Sequence, residues 1–212
     1  MSYDFLIFDL DGTLVDSQND LTNVVNLIRA DYGLKPLTVE QVKACLGSGV
    51  NTLMEQIVPL KQVNNQDLVK KFSFYYDKHL TDFTVLYDGV KEMLDILKSK
   101  KKAILSNKPQ NFCKKIAFRL AIADYFVKIW GGDTLEVKKP DPKTIFSLVE
   151  ATNSDIKKTV MIGDSANDFL VSKRAGIDSI AVSYGYATKE QTDFYKPTFI
   201  VNSFKDLINI IL

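Results

Sequence analysis

Short apolar runs, spaced along the chain, constrain its fold more than any other feature of the sequence. They lack the alternation of apolar and polar residues that marks a strand with one face in solvent. Strands of this kind occur in parallel sheets that helices cover on both faces. The predicted strands are residues 5–9, 103–106, 127–130, 160–163, 179–182 and 199–201.

Amphipathic stretches lie between these runs. Apolar residues over 90–97 fall on one face of a helix, and the lysines of 98–102 are expected to close that helix at its negative end. Further helices are predicted over 142–151 and 166–175. The alternation of strand and helix over 85–212 predicts an α/β fold, with a Rossmann-like doubly wound parallel sheet.

Residues 16–83 break this alternation. Ser17 with Asp20 makes an acceptable helix start, and an apolar stripe follows them. Further helical patterns cover about 39–46, 50–58 and 66–80, without a convincing strand. We therefore expect an inserted all-helical cap. The predicted domains are a catalytic core of residues 1–15 plus 84–212 and a helical cap domain of residues 16–83.

Composition narrows the classes of function. A net charge of +1 gives no basic excess for nucleic acid, and no apolar run approaches the ~18 residues of a membrane span. With one histidine, His79, a zinc site is disfavoured. The start of the chain lacks the pattern of a signal peptide, and Cys45 and Cys113 suit reduced thiols. The expected location is cytoplasmic.

Polar side chains gather where the predicted strands end. Ligands of a doubly wound sheet bind outside the carboxyl ends of its strands, so these residues are expected to meet at one edge. Lys139, before Pro140, is expected to join them. The strand-end residues are Asp9 and Asp11 after the first strand, Ser106 and Asn107 after the second, and Asp164 and Asp168 after the fourth.

A cluster of carboxylates needs a cation, since like charges repel. Oxygen ligands without histidine or cysteine favour Mg²⁺. Magnesium, a lysine and backbone N–H groups suit a phosphoryl group. In this interpretation Asp9 binds metal and attacks phosphorus, which forms an aspartyl phosphate. Asp11 protonates the leaving oxygen and then takes a proton from the hydrolytic water.

Four segments, "DLDGTLVDS", "LSNKP", "KKPDP" and "GDSANDF", resemble the ordered motifs of the haloacid dehalogenase-like hydrolases, closest to the phosphoglycolate phosphatase-like branch. The resemblance covers essentially the whole chain and implies a Rossmann-like core with a helical cap. It implies that Ser106 and the Asn107 backbone hold the phosphoryl oxygens, and that Lys139, rather than Lys138, steadies the phosphoaspartate. The implied magnesium ligands are Asp9, the Asp11 carbonyl and Asp164, with Asp168 in a supporting position.

The predicted function is a Mg²⁺-dependent phosphatase for a small phosphorylated metabolite, with 2-phosphoglycolate as the leading substrate. The related dehalogenases and phosphonate hydrolases lack an acid two residues after the nucleophile. The presence of Asp11 therefore disfavours both activities. A sugar-phosphate mutase or a pyrophosphatase on the same scaffold stays open. Outside enzymes, the rival is a receiver-like phospho-acceptor switch, although such modules place the acceptor after a middle strand and are about half as long.

The segment "CLGSGVN" contains Gly47, Ser48 and Gly49. By resemblance this loop of the cap contributes to substrate binding, and an ordinary helix–helix turn is the alternative. Lys35, Lys43 and Lys61 are candidate cations of the cap, and "YGYA" (residues 184–187) either lines the entrance or forms a structural loop. The expected partners are the small phosphorylated substrate and, in a homodimer, a second copy; a monomer is the alternative.

Overall fold

The computed structural model describes residues 3–60 and 62–212, which divide into two units. The core unit comprises the described residues up to Asp16 together with Leu86–Leu212, and the helical unit comprises Ser17–Val85. These divisions fall within a few residues of the boundaries expected at 15/16 and 83/84. Lys61, a candidate cation of the cap, lies outside the described residues.

The core unit contains a six-stranded parallel sheet with the order β5-β4-β1-β6-β7-β8, and a separate two-stranded sheet joins β2 to β3. The predicted α/β fold is therefore confirmed. The strands are β1 (Phe5–Phe8), β2 (Val15–Asp16), β3 (Val85–Leu86), β4 (Lys101–Leu105), β5 (Lys128–Trp130), β6 (Thr159–Gly163), β7 (Asp178–Val182) and β8 (Phe199–Val201).

Ten α-helices complete the described residues, with short 3₁₀ helices at 123–125, 156–158 and 204–207. None of these helices is both long and apolar enough to cross a membrane. The α-helices are α1 (Gln18–Asp31), α2 (Val39–Lys43), α3 (Val50–Ile57), α4 (Asn65–Lys78), α5 (Val90–Ile96), α6 (Gln110–Arg119), α7 (Lys143–Ala151), α8 (Ala166–Ala175), α9 (Lys189–Tyr195) and α10 (Ile208–Ile211).

β1 lies at the centre of the sheet because every residue of its FLIF sequence is apolar and buried. It pairs with β4 on one side and β6 on the other, and Phe8 stands level with Ile104 and Ile162. Strands that pair in parallel at this register end at the same edge of the sheet. The chain leaving β1, β4 and β6 therefore emerges at neighbouring points.

The lysines after α5 correct one interpretation of the sequence. α5 ends at Ile96, and Lys101 and Lys102 belong to β4 rather than to the last turn of the helix. Lys102 is only 2% exposed, and its Nζ donates to the carbonyls of Leu97 and Lys100. The Lys102 ammonium thus still contacts a carbonyl at the end of α5, but Lys102 itself lies in β4. The periodicity of the sequence alone does not reveal this position.

The helical unit contains α1 to α4, and α1 packs against α2 and α4. The helix start predicted at Ser17 and Asp20 is confirmed, since Ser17 directly precedes α1. The Asp20 carboxylate, however, accepts hydrogen bonds from residues at the far end of the unit: Phe83 N (3.0 Å), Thr84 N (2.8 Å) and Thr84 Oγ1 (2.6 Å). A fully buried carboxylate thus joins the two ends of the unit, because a buried charge must be paired or hydrogen-bonded.

Candidate active site

The residues that follow β1, β4 and β6 form the centre of the candidate site. Asp9 is the first residue after β1, Ser106 the first after β4, and Asp164 the first after β6. All three are at least nine-tenths buried. The order of the strands, rather than proximity in the sequence, brings these side chains to one edge of the sheet.

Asp9, Asp164 and Asp168 form a buried group whose carboxylate oxygens lie within 4.8 Å of one another. Burial raises the pKa of Asp9 to about 6; Lys139 opposes this change, and the charges of Asp168 and Asp11 add to it. Burial also raises the pKa of Asp164 well above its usual range, and the charges of Asp9 and Asp168 reinforce the effect. Three buried carboxylates at these distances suit a hard cation, which prefers oxygen ligands.

Lys139 is the lysine of the "KKPDP" segment that reaches this group, whereas Lys138 is exposed. Its Nζ lies 2.6 Å from Oδ1 of Asp168 and 3.1 Å from Oδ1 of Asp9. Burial alone would lower the pKa of Lys139, but these two carboxylates raise it above the ordinary value. The ammonium therefore stays charged beside Asp9.

Asp168 is held at the first turn of α8. Its Oδ2 accepts hydrogen bonds from Ser165 N (3.0 Å) and Ser165 Oγ (2.7 Å), which completes a capping box, while Oδ1 accepts from Lys139. Gly163 makes room for this arrangement, since a Cβ there would lie 2.4 Å from Cγ of Asp168. Asp168 thus fixes the start of α8 and the position of Lys139 together.

Asp164 is oriented by Thr13 of the first motif and by the "YGYA" segment. Its Oδ1 accepts from Thr13 Oγ1 (2.9 Å) and its Oδ2 from Tyr186 N (2.7 Å). Tyr184 OH donates to the Thr13 carbonyl at 2.9 Å. The "YGYA" segment therefore acts within the core unit as a structural support for Asp164. Its glycine between two tyrosines is the sequence signal for that close approach.

Asp11 faces a different lysine. Its carboxylate is 18% exposed, and its Oδ2 and Oδ1 lie 2.8 and 3.0 Å from Nζ of Lys108. Gly12 adopts a φ of +80°, which turns the chain away after Asp11, and a Cβ there would lie 2.2 Å from Oδ2 of Asp164. The two aspartates of the first motif are thus separated, Asp9 toward Lys139 and Asp11 toward Lys108.

Ser106 and Asn107 lie in a turn that other backbone groups hold in place. Ser106 N donates to the Trp130 carbonyl (3.0 Å), and Asn107 Nδ2 donates to the Lys139 carbonyl (2.9 Å). Gly132 lies against this turn, since a Cβ there would approach the Asn107 carbonyl oxygen to 2.5 Å. The structure therefore brings the second and third motifs into direct contact.

Gly47, Ser48 and Gly49 belong to the helical unit, in the turn between α2 and α3. Gly47 and Gly49 have φ values of 99° and 88°, and Gly49 directly precedes α3. Both glycines serve a backbone conformation that other residues rarely adopt. The role of this turn in substrate binding, like that of Lys35 and Lys43, stays a prediction.

Comparison with known proteins identifies the family. A family model described as "Haloacid dehalogenase-like hydrolase" matches residues 6–182. A phosphoglycolate phosphatase of Colwellia psychrerythraea is 36% identical over 213 residues, which cover 96% of this chain and 94% of that protein. A phosphoglycolate phosphatase of Psychrobacter arcticus is 34% identical and covers 100% of this chain, which in turn covers 97% of it.

A similar fold is known from a crystal structure of a Haemophilus somnus 129PT protein described as a "predicted phosphoglycolate phosphatase". It has a TM-score of 0.95 and 29% identity, and the match covers 100% of this chain and 99% of that one. These matches confirm the enzyme class expected from the sequence, a phosphoric monoester hydrolase. The chain belongs to the haloacid dehalogenase-like hydrolases, in the branch of the phosphoglycolate phosphatases.

Proposed function

We propose that the protein is a Mg²⁺-dependent phosphatase that hydrolyses a small phosphomonoester through an aspartyl phosphate on Asp9. The leading substrate is 2-phosphoglycolate, the substrate in the names of its relatives. The observation that carries the proposal is the separation of two aspartates at one strand end. Asp9 lies beside a buried lysine and two further carboxylates, and Asp11 lies beside a second lysine.

The metal proposal rests on the buried carboxylates. Asp9, the Asp11 carbonyl and Asp164 are the proposed ligands, and Asp168 supports them by holding Lys139. The raised pKa values of Asp9 and Asp164 indicate that these buried acids need further positive charge to stay ionised together. When bound, Mg²⁺ supplies that charge and neutralises the oxygens of the phosphoryl group.

In the first half-reaction the Asp9 carboxylate attacks phosphorus. Leu10 N and Lys139 Nζ both contact Oδ1, so we assign the attack to Oδ2. The bond between phosphorus and the leaving oxygen breaks, and Asp11 gives that oxygen a proton. Lys139, Ser106 and the Asn107 backbone hold the oxygens of the phosphoryl group, which limits its movement as it transfers to Asp9.

In the second half-reaction a water molecule attacks the phosphorus of the phosphoaspartate. Asp11, now ionised, takes the proton from that water. The bond between phosphorus and Asp9 breaks, inorganic phosphate leaves, and both aspartates return to their initial protonation states. Asp11 can alternate between these roles because its carboxylate is partly exposed and is not part of the buried group of acids.

The first experiment measures phosphate release with and without Mg²⁺ from 2-phosphoglycolate, sugar phosphates, nucleotides and pyrophosphate. A strong Mg²⁺-dependent preference for 2-phosphoglycolate would support both the chemistry and the substrate. Preference for pyrophosphate, or isomerisation of a sugar phosphate, would replace this proposal with the pyrophosphatase or the mutase. Stable phosphorylation of Asp9 without turnover would favour a phospho-acceptor switch.

Two variants test the assigned roles. Asp9→Asn should abolish turnover while circular dichroism shows an unchanged fold, and retained activity would refute the assignment of the nucleophile. Asp11→Asn should slow esters with poor leaving groups more than aryl phosphates, which need less protonation. Equal losses on both kinds of ester would contradict the role of Asp11 as an acid.

The remaining proposals concern the setting of this activity. The helical unit, including Gly47, Ser48 and Gly49, is the proposed source of further substrate contacts. The proposed location is the cytoplasm, where thiols stay reduced, and Cys45 and Cys113 are both free. A monomer and a homodimer are both compatible with this chemistry, since the residues assigned to it all lie in one core unit.

A further inference from the structure

Lys108 is a buried cation to which the reaction proposed above assigns no part. Its side chain is 7% exposed, and its ammonium contacts both oxygens of the Asp11 carboxylate. Lysine is almost never buried unless it is paired. The other lysine of the site, Lys139, forms ion pairs with Asp9 and Asp168. The two lysines therefore serve different ends of the site.

The backbone of Lys108 is fixed, so its side chain leaves a defined point. The Lys108 carbonyl accepts a hydrogen bond from Gly132 N at 2.9 Å, and its N–H donates to Ser106 Oγ at 3.3 Å. A Cβ on Gly131 would come within 2.5 Å of the same carbonyl oxygen, which shows how closely the chain packs there. This rigidity suits a residue that discriminates between ligands.

The position of Lys108 follows from the role of Asp11. A group that protonates the leaving oxygen must come within about 3 Å of that oxygen. Lys108 Nζ is 2.8 Å from the Asp11 carboxylate, so the ammonium lies beside the atoms attached to the leaving oxygen. A carboxylate on the next carbon would then face this ammonium, which offers it the opposite charge.

We propose that Lys108 is a specificity-determining residue that binds an acidic group on the leaving alcohol. The preferred substrates are then phosphorylated 2-hydroxy acids, of which 2-phosphoglycolate is the smallest. This inference rests on the proposed phosphatase activity and assigns its selectivity to one residue of the core unit. The ammonium has three N–H donors, so it can contact Asp11 and a substrate carboxylate together.

The test is a competition between 2-phosphoglycolate and its neutral amide, 2-phosphoglycolamide, in one reaction with Mg²⁺. The relative rates of consumption give the ratio of the two kcat/KM values, which does not depend on how much of a variant is folded. Wild type is compared with Lys108→Met and with Lys114→Met. The control removes the same charge from an exposed position on α6 of the same unit.

We expect wild type and Lys114→Met to favour the acid over the amide by roughly 10- to 100-fold, the usual contribution of one charge-assisted hydrogen bond. Lys108→Met should bring the ratio close to one, and the loss for the acid should lie mainly in KM. Lys108→Arg should keep part of the preference because it keeps the charge.

Two results would overturn the inference while leaving the phosphatase in place. One is an unchanged ratio in Lys108→Met, which with equal losses on both compounds would mean that Lys108 acts only by positioning Asp11. The other is a wild type that does not discriminate between the acid and the amide. Absence of phosphate release from either compound and from every other phosphomonoester tested would instead overturn the proposed function, and the inference with it.

Discussion

Lys139 Nζ lies 2.6 Å from Oδ1 of Asp168, closer than the 3.1 Å that separates it from Asp9. The side chains of Lys139 and Asp168 are at most 1% exposed, so the pair is shielded from solvent. Asp168 thus orients the Lys139 ammonium, which in turn contacts Asp9. Positioning contacts of this kind affect activity although they do not touch the reacting atoms.

The first prediction concerns this pair. Asp168→Ala should lower kcat by roughly 10- to 100-fold with little change in KM, because Lys139 loses the group that orients it. The matched control is Ser165→Ala, which removes a hydroxyl from the same capping box and leaves the Lys139 contact intact. It should cost about 1 kcal/mol of stability and leave kcat within about threefold of wild type. Equal losses of kcat in both variants would contradict the assigned role.

The second prediction concerns pH. A carboxyl whose pKa is raised in the folded state stabilises the protein at low pH, and this contribution is lost as pH rises through the folded-state value. For Asp9, a pKa raised from 3.8 to about 6 corresponds to about 3 kcal/mol. The free energy of unfolding of the metal-free protein should therefore fall between about pH 4 and pH 7. Asp164 acts in the same direction.

Urea unfolding with and without Mg²⁺ measures this effect. Mg²⁺ should stabilise the protein more at about pH 7.5 than at about pH 5, since protons compete for the same carboxylates. Asp9→Asn should weaken the dependence of stability on pH. Stability of the metal-free protein that rises over this range would show that other groups dominate.

The third prediction concerns Gly185. A Cβ at this position would lie 2.2 Å from Cβ of Asp164 and 2.5 Å from the Gly12 carbonyl oxygen. Gly185→Ala should therefore displace Asp164 and weaken Mg²⁺ binding by tenfold or more, on the order of the effect of other contacts that orient a ligand. Isothermal titration calorimetry with Mg²⁺ alone measures the affinity without reference to turnover.

Gly176→Ala is the control for that change. Gly176 ends α8 with a φ of +71°, and no atom lies within 4 Å of a Cβ placed there. Its substitution should cost about 1 kcal/mol through backbone strain and leave the Mg²⁺ affinity unchanged. Equal affinities in the two alanine variants would show that the residue at 185 does not position Asp164.

The fourth prediction concerns Asp20 of the helical unit. Asp20→Ala leaves the N–H groups of Phe83 and Thr84 without their acceptor, so we expect a loss of about 2–4 kcal/mol in the free energy of unfolding. The control is Asp31→Ala, which removes an exposed ion pair with Lys71 on the same unit. That change should cost less than about 1 kcal/mol. Chemical denaturation compares the two variants. Similar losses of stability would refute the idea that the hydrogen bonds of Asp20 hold the two ends of the unit together.

The sheet could be predicted from the sequence because its strands are apolar on both faces. Such runs stand out from the amphipathic helices around them, and the errors at their ends reflect polar residues that enter the strand. Lys102 is the clearest case, since the sequence alone does not distinguish a buried lysine that donates to carbonyls from a solvated one. The strand order, which the structure supplies, explains why residues from distant motifs meet.

Other contacts could not be predicted from local patterns. Ser17 and Asp20 correctly indicate the start of α1, but the partners of the Asp20 carboxylate lie 63 and 64 positions further along the chain. Lys108 precedes a proline and is typical of a surface turn, whereas its partner is 97 positions away. Pairs of this kind depend on the tertiary fold, which one sequence does not specify residue by residue.

The central place of β1 has a consequence for synthesis of the chain. Phe5 pairs with Lys101 on one side and with Thr159 on the other, so β1 is synthesised before both of its neighbours and must wait for β6 to complete its pairing. Until β6 has been synthesised, Asp9 cannot meet Asp164. A nascent or truncated chain lacking β6 therefore carries the proposed nucleophile without its partners, and metal binding would report completion of the core.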